Sequence, residues 1–363
     1  MKLPRNAQLW LPGWLEARRR HRRHRFDATK PVTVHLMFAD HFEPYWGKPS
    51  DAVARARVAA WADRWPMIAE RQRDDAGRPA QWTFFYPQEE YRPELLEPLA
   101  SMSRRGVADV EVHIHHDGEG EADFMDRMRT FVTALSRDHG LLREVNGRPV
   151  FGFIHGNWAL DNSRPDGRWC GLNNELTLLR QLGCYADFTM PAAPDPCQTR
   201  LVNAIYWAVD DPMGPKSHDT GTLVEVGVRP PDDALLCVQG PLTLRPHPRW
   251  RMVPSLEVGE LAGYAPPSRQ RAERWLDAAP RIGNDVFVKL YTHGAPEKNA
   301  IPLLGGFIAA AVDALRAACG RRRWTLSHAT AAQLVDAIHA ASGIVTATVR
   351  PGVAPTVPAS AAR

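Results

Sequence analysis

The sequence predicts an α/β fold: a barrel of largely parallel strands with a long irregular insertion and a short C-terminal tail. From residue 30 onward, short apolar runs alternate with segments of helical periodicity, the pattern of parallel strands joined by helices. The run at 32–39 has the composition of a buried strand. The number of such runs, seven or eight, fits a barrel.

Six strands are predicted, at 32–39, 82–86, 107–115, 150–154, 186–190 and 285–291, with further candidates at 203–207 and 235–238. Helices are predicted at 52–71, 95–104, 121–139, 172–182, 303–319 and 331–341. Apolar residues recur at helical spacing in the first helix, at Ala54, Val58, Trp61 and Trp65. Pro66 is expected to kink this helix or to end it early. Residues 195–275 are rich in proline, so we expect long loops or a hairpin over one face.

Bulk composition is that of a soluble globular protein, with 44% hydrophobic and 24% charged residues. No apolar run approaches the ~20 residues that span a bilayer, and the N-terminus lacks the apolar segment of a secretory signal. We therefore expect a cytoplasmic protein, with a peripheral position at the inner face of the membrane as an option. The five cysteines are widely spaced and form no CxxC pair, which argues against a disulfide scaffold and a thiolate zinc site.

Three segments are predicted along the chain. A basic and aromatic N-terminal arm covers residues 1–29, the barrel domain covers 30–345, and a disordered tail rich in proline and alanine covers 346–363. We find no internal repeat.

The N-terminal arm predicts a contact with an anionic surface. Arg18–Arg25 contains six arginines, and without them 39 of the 45 basic residues remain against 41 acidic ones. Trp10 and Trp14 precede this run, and aromatic anchors beside basic residues favour an anionic membrane surface. A disordered, solvated arm is the alternative. No specific nucleic acid is predicted, because no base-reading motif accompanies the arginines.

Residues capable of chemistry gather where predicted strands end. In segment 111–117, three histidines fall within four residues beside a carboxylate. Because side chains alternate along a strand, His113, His115 and Asp117 would share one face, with His116 on the other. Two imidazoles and a carboxylate on one face suit a divalent metal such as zinc. A solvated strand end with incidental histidines is the alternative.

Three other predicted strands also end in histidine and further polar residues, at 38–44, 154–162 and 290–295. In α/β barrels the carboxyl ends of the strands carry the active site. A core strand needs no carboxylate at its exit, since an unpaired buried charge is costly. Four such ends in one chain therefore predict an active site.

Five motifs, in order along residues 30–345, resemble the polysaccharide deacetylase (NodB-homology, carbohydrate esterase) superfamily, in a divergent bacterial branch without a signal peptide. They are ADHFEP (39–44), EVHIHHD (111–117), FIHGNWALDNS (153–163), CGLNNEL (170–176) and KLYTHGA (289–295). The resemblance implies a distorted (β/α)7-type barrel. It also implies a metal-dependent hydrolase, with Zn²⁺ as the metal, that cleaves a non-peptide C–N bond. Such an enzyme would remove an N-acetyl or other acyl group from a carbohydrate, in envelope or exopolysaccharide metabolism.

The resemblance also implies metal ligands. His41 stands where the family has an aspartate ligand, and His113 matches its first histidine ligand. Asp117 falls where the family has a second histidine, and His115 is an alternative ligand between the two.

Catalytic and substrate-binding roles follow in the same way. Asp40 matches the family's general base, and His293 matches its catalytic acid. Asn157 and Trp158 would line the sugar subsite, although the segment that contains them lacks the arginine and proline of the family motif. Packing in the core is the alternative for Trp158, and a structural role is expected for His155.

Two other functions are compatible with these residues. A glycoside hydrolase would keep the barrel and use two carboxylates ~5–9.5 Å apart, chosen from Asp40, Glu43, Asp117 and Asp161. That chemistry does not need the histidines. A non-catalytic protein would keep the deacetylase fold and bind a glycan or a partner, because two of the family's metal positions are substituted.

Overall fold

The computed structural model describes residues 3–247, 252 and 254–344 of the 363-residue chain. In these residues the strands are β1 (Thr33–His41), β2 (Trp82–Pro87), β3 (Ala108–Ile114), β4 (Arg143–Val145), β5 (Arg148–His155), β6 (Cys184–Asp187), β7 (Ile205–Val209), β8 (Thr222–Leu223), β9 (Ala234–Val238), β10 (Thr243–Pro246), β11 (Pro254–Glu257), β12 (Arg281–Ile282), β13 (Asp285–Thr292) and β14 (Thr325–His328). The α-helices are α1 (Ala7–Arg23), α2 (Asp51–Arg71), α3 (Pro93–Arg104), α4 (Glu121–Thr133), α5 (Glu175–Gln181), α6 (Arg269–Ala278), α7 (Glu297–Pro302), α8 (Ile308–Arg322) and α9 (Ala331–Ser342). The predicted tail at 346–363 lies outside the described residues.

A large parallel sheet organises the molecule. Its parallel strands lie side by side in the order β13-β1-β2-β3-β5-β6-β9. β7 pairs with β9 in antiparallel orientation and so takes up the remaining edge of β9. Within the described ranges no ladder joins β9 to β13. The predicted parallel α/β fold is therefore confirmed, whereas closure of the sheet into a barrel is not.

Both faces of the sheet are buried, which explains why its strands are apolar on both sides. On one face, Phe38 packs in a cluster with Trp61 of α2. On the other face, Met37 packs with Ile154 of β5 and Leu334 of α9. Adjacent residues of β1 thus enter different layers, and this alternation carries through to the end of the strand.

Most predicted elements are present with shifted ends. α2 continues through Pro66 to Arg71, so the early end expected at the proline is wrong. Pro66 is buried, and packing of α2 in the core offsets the hydrogen bond that a proline removes. The helix predicted at 121–139 is α-helical only to Thr133 and continues as a π-type turn. Within 195–275, β10 and β11 form the expected hairpin.

The N-terminal arm is a helix over residues 7–23, so the disordered alternative is wrong for this part of it. Trp10 and Trp14 are 3% and 8% exposed and pack against Ala193, Val202 and Leu242. Their indoles face the protein and are not available as membrane anchors. Docking on an anionic surface through the arginines alone stays a prediction.

One helical segment, Glu297–Arg322, is long and apolar enough to cross a membrane by those two criteria alone. It comprises α7, a π-type turn at Leu303–Phe307 and α8. Ile308 and Val312 of this segment are buried in the same cluster as the strands. A core helix of a soluble protein meets the same two criteria, so the segment is weak evidence for a membrane span.

The packing of α1 generates a stability prediction. We expect Trp14→Ala to lower the free energy of unfolding by about 3–5 kcal/mol, because it leaves a cavity in a packed cluster. Leu15→Ala is the control, since Leu15 is 44% exposed on the same helix and should change this free energy by less than about 0.5 kcal/mol. Urea denaturation measures both. Equal effects of the two substitutions would contradict the packing of α1.

Candidate functional site

The carboxyl ends of β1, β3 and β13 meet at one edge of the sheet. The register pairs Asp40 of β1 with Thr292 of β13. His41 is the last residue of β1, His113 is the next-to-last residue of β3, and His293 follows β13 directly. Parallel pairing therefore brings three of the predicted site residues to the same edge.

A group of histidine and glutamate side chains, His41, Glu43, His113, His115 and His293, forms what we call the edge cluster. His41, Glu43 and His113 each offer a ligand atom, and these atoms lie within 4.8 Å of one another. Oε1 of Glu43 lies 3.2 Å from His113 Nε2 and 3.4 Å from His115 Nε2. The ring centroids of His293 and His41 are 4.7 Å apart. The structure thus brings four of the predicted histidines together around Glu43.

Acceptor atoms converge on Glu43. His113 Nδ1 donates to the carbonyl oxygen of Ile154 at 2.8 Å. His115 Nδ1 donates to Oε1 of Glu89 at 2.5 Å. A neutral imidazole that donates from Nδ1 has a lone pair on Nε2, and both Nε2 atoms face one carboxylate oxygen. Such acceptors repel one another, so the arrangement needs protons or a cation between them.

Burial and charge set the protonation of the edge cluster. Burial alone would raise the pKa of Glu43, but the hydrogen bond with His113 and the charges of nearby histidines lower it. Burial would lower the pKa of His115, and the hydrogen bond and charge of Glu89 raise it. Burial lowers the pKa of His293, so its ring is neutral near neutral pH. Burial lowers the pKa of His41 as well, so the ionised carboxylate of Glu43 lies beside the neutral imidazole of His41, and these are the forms that bind a metal.

Asp40 lies next to His41 in sequence but belongs to the other face of β1. Its carboxylate is fully buried, with Oδ1 accepting from the backbone N–H of Gly294 at 2.6 Å and Oδ2 accepting from Trp82 Nε1 at 3.0 Å. Burial raises the pKa of Asp40 to about 8, while these two hydrogen bonds oppose the rise. The side chain holds the turn after His293, and its general-base role stays a prediction.

The alternation predicted for segment 111–117 holds only as far as the strand. β3 ends before His115. His115 still joins His113, with ring centroids 4.7 Å apart. Asp117 is exposed, and its Oδ1 accepts from the backbone N–H of Trp169 at 2.7 Å. The structure therefore does not bring Asp117 to the edge cluster, which corrects the ligand position that the resemblance implies.

A cavity of about 660 Å³ opens beside the edge cluster and is lined in part by His293. Trp46, Trp158 and Tyr264 contribute aromatic rings to its wall. Trp46 is 42% exposed and Tyr264 73% exposed, so their rings are accessible to a ligand. Of the two predicted substrate residues, Trp158 lines the cavity and Asn157 is not among its lining residues. Asn157 precedes Trp158 in the chain and has a φ of +54°.

Two acidic residues take part in the site in ways that the sequence does not reveal. Glu43 is predicted only as one of a carboxylate pair, because it lies beyond β1, where alternation no longer places a side chain. Glu89 lies in the 3₁₀ turn Gln88–Glu90 after β2 and reaches His115 from there. No spacing in the sequence links these two residues. The one signal was the pair of histidine and glutamate two residues apart in segment 38–44.

No protein-family model matches the chain, and no curated protein matches it. Among solved structures, the chain is similar to the 4-alpha-glucanotransferase from Thermococcus litoralis, with a TM-score of 0.43 and 9% sequence identity over 85% of this chain. The match covers 40% of the length of that protein. A likeness of this size carries no argument about activity, so the resemblance to deacetylases depends on the five motifs alone.

The contacts of Asp40 generate a second stability prediction. We expect Asp40→Asn to lower the free energy of unfolding by about 1–3 kcal/mol. The amide has a single acceptor oxygen, so either Gly294 N–H or Trp82 Nε1–H loses its partner. Asp63→Asn is the matched control, because Asp63 is exposed on α2 and should change this free energy by less than about 0.5 kcal/mol. If guanidinium denaturation gives the same small effect for both, the carboxylate does not hold the turn.

Proposed function

We propose that the protein is a metal-dependent hydrolase acting on a carbohydrate, and that the edge cluster binds its metal ion. The observation that carries this proposal is the convergence of His113 Nε2 and His115 Nε2 on one oxygen of Glu43. Nε2 lone pairs that point towards one atom, on imidazole rings held by a hydrogen bond from Nδ1–H, are typical of metal ligands. The reaction we favour is hydrolysis of an amide C–N bond, which removes an N-acetyl or other acyl group.

The residues present fit a zinc-class ion. Imidazole nitrogens and a carboxylate oxygen are ligands that Zn²⁺ prefers. Oε2 of Glu43 is buried and has no hydrogen-bond partner among the described residues, so it is available to an ion. His41, Glu43 and His113 would hold the ion, with His115 as a further ligand. An ion bound there supplies a Lewis acid for a carbonyl and lowers the pKa of a bound water.

We assign proton transfer to His293. Its ring centroid lies 4.7 Å from that of His41 and 5.3 Å from that of Trp46, between the edge cluster and the cavity. Because burial lowers its pKa, the neutral ring is available to accept a proton and then to donate it to a leaving amine. Asp40 positions His293 through its hydrogen bond with Gly294.

The cavity supports a sugar as the substrate. Trp46 and Trp158 offer aromatic faces, on which the apolar face of a sugar ring can stack. Glu260, Lys298 and Asn299 add polar groups to the same wall, for hydroxyl groups. A mixture of aromatic surface and few polar groups is typical of small-molecule sites.

A biological setting belongs to the same proposal. The activity would serve envelope or exopolysaccharide metabolism, in the cytoplasm or at the inner face of the membrane. The exposed Arg18, Arg19 and Arg22 of α1 would provide contact with anionic lipids. The support for this setting is the sequence pattern of the arm.

A second candidate is hydrolysis of a glycosidic bond. The pKa of Glu43 is lowered by its histidine neighbours despite burial, and burial raises the pKa of Glu90 to about 7. One ionised and one protonated carboxyl are what that reaction needs. The name of the structural neighbour is closer to this candidate than to deacetylation, although that likeness carries no argument. Against it, a glycosidase has no need of the four histidines.

Metal content and hydrolysis test the proposed site together. We expect His113→Asn to bind one zinc ion fewer per chain than the wild type and to reduce acetate release from N-acetylchitotetraose by more than about 100-fold, because a ligand is removed. Asp117→Asn is the matched control in the same motif and should keep both zinc and activity, since Asp117 lies outside the edge cluster. Metal is measured by mass spectrometry and acetate by a coupled assay.

The products separate the candidates. Acetate release without new reducing ends supports deacetylation, and new reducing ends without acetate would support glycosidic cleavage instead. A folded wild-type chain that holds no more zinc than His113→Asn and does not act on N-acetylated or other acylated sugars would overturn the proposal in favour of a non-catalytic protein.

The cavity wall generates a kinetic prediction. We expect Tyr264→Ala to raise KM by about 3–10-fold with little change in kcat, because a stacking contact of about 0.5–1.5 kcal/mol is lost on the cavity wall. Met213→Ala is the control, since Met213 is 90% exposed and does not line the cavity. A loss confined to kcat would contradict a role in substrate binding.

A further inference from the structure

A second group of buried side chains lies at the ends of β3 and β5. His116 follows β3, His155 ends β5, Cys170 lies in the connection to α5, and Glu175 begins α5. Each offers one ligand atom, and these four atoms lie within 4.8 Å of one another. We call these four residues the inner cluster. None of its members belongs to the edge cluster.

Three ligand atoms of the inner cluster lie close to one another, and the sulfur lies near the same glutamate. His155 Nε2 lies 2.9 Å from His116 Nε2 and 3.5 Å from Glu175 Oε1. His116 Nε2 lies 3.1 Å from Glu175 Oε1, and Cys170 Sγ lies 3.4 Å from Glu175 Oε2. Bonds of about 2.0–2.3 Å at tetrahedral angles put neighbouring ligand atoms roughly 3.3–3.7 Å apart. The two histidines and the glutamate are therefore within a few tenths of an ångström of the spacing that a zinc-sized ion needs.

Neighbouring groups orient the sulfur and one imidazole. His155 Nδ1 donates to the carbonyl oxygen of Gly156, which leaves a lone pair on Nε2, towards the cluster. Sγ of Cys170 accepts the backbone N–H groups of Asn162 at 3.2 Å and Leu172 at 3.5 Å. Backbone N–H groups directed at a sulfur favour its thiolate, the form that binds metal, whereas burial and the charge of Glu175 raise the pKa of the Cys170 thiol.

The ring proton of His116 takes a different position in a metal-bound ring and in a neutral ring held by hydrogen bonds alone. In a network without an ion, His116 Nε2–H would donate to Glu175 or His155. His116 Nδ1 would then be a buried acceptor, and within the part of the chain that the structure describes it has no hydrogen-bond partner. With an ion at Nε2, the proton resides on Nδ1, which lies 3.7 Å from Oε2 of Glu119. The metal-bound ring directs that N–H towards a carboxylate, as does an imidazolium paired with Glu175, whereas a neutral ring that donates from Nε2 does not.

We propose that the inner cluster binds one divalent ion of the zinc class as a closed structural site. Four protein ligands with no exposure leave no position for a substrate, which is the mark of a structural rather than a catalytic ion. The ion would join the connection 156–174 to the ends of β3 and β5 and to α5. Trp158 lies in this connection, so the site would also fix one wall of the cavity. The inference is independent of the proposed function.

Cobalt is the probe that separates the two clusters, because only the inner cluster contains a cysteine. The purified chain, kept reduced, is titrated with Co²⁺, and the near-ultraviolet charge-transfer band from thiolate to cobalt is recorded. We expect the band in the wild type and its displacement by Zn²⁺. It should persist in His113→Asn, which damages the edge cluster, and disappear in Cys170→Ser. Cys319→Ser is the matched control and should leave the band unchanged, since Cys319 is equally buried but lies in α8, outside the inner cluster.

Glu175→Gln is the second variant, in case Cys170→Ser does not fold. It preserves the shape of the side chain, and we expect the affinity for Co²⁺ measured by the same band to fall at least about tenfold. Absence of the band in folded, Co²⁺-saturated wild type would overturn the proposal and leave the inner cluster as a hydrogen-bonded network. A band that survives in Cys170→Ser, or an unchanged affinity in Glu175→Gln, would overturn it as well. Failure of the edge cluster to bind metal would leave these outcomes unaltered.

Discussion

The pairing of β1 is the constraint on which the candidate site depends. β1 pairs with β13 from Thr33 to Asp40, and its other edge pairs first with β14 and then with β2. Because both neighbours are fixed, the strand cannot slide. A slip of one residue would turn His41 towards the face of the sheet that α2 covers. It would turn the carboxylate of Asp40 towards the edge cluster. The register therefore decides which of two adjacent polar residues faces the other histidines.

The turn after β13 is held with similar rigidity. The backbone N–H of Gly294 donates to Asp40, and its carbonyl oxygen accepts from Trp61 Nε1 at 3.0 Å. A Cβ at this position would lie 2.2 Å from Oδ2 of Asp40, so only glycine permits the approach. His293 precedes this glycine directly, so the two hydrogen bonds of Gly294 also restrict the backbone of His293. The buried carboxylate thus fixes the backbone beside His293.

The sequence predicted those parts of the site that follow from strand periodicity. His41, His113 and His293 lie at or next to strand ends, where alternation and parallel order place them. Asp117 fails because β3 ends before His115, and beyond that point the path of the backbone decides where a side chain lies. Glu89 was not predicted at all, since it approaches from a turn after another strand. The sequence also could not predict whether the sheet closes into a barrel. The number of apolar runs does not show that β7 pairs with β9 in antiparallel orientation.

The inner cluster shows the same limit for cysteine chemistry. The spacing of the five cysteines argues against a thiolate zinc site, and the proposed inner cluster departs from that expectation through a single thiol. Cys170, however, meets two histidines and a glutamate that the fold brings from three other elements. Such a mixed donor set has no sequence signature, because each ligand comes from a different strand end or connection.

The two clusters share the exits of β3 and β5, and this links their geometry. The register pairs His113 with Ile154, and the carbonyl oxygen of Ile154 accepts from His113 Nδ1 in the edge cluster. The next residue, His155, belongs to the inner cluster. A displacement of His155 would move the carbonyl that orients His113, since one peptide unit joins the two. The position of His155 and the orientation of His113 are therefore linked through the backbone of β5.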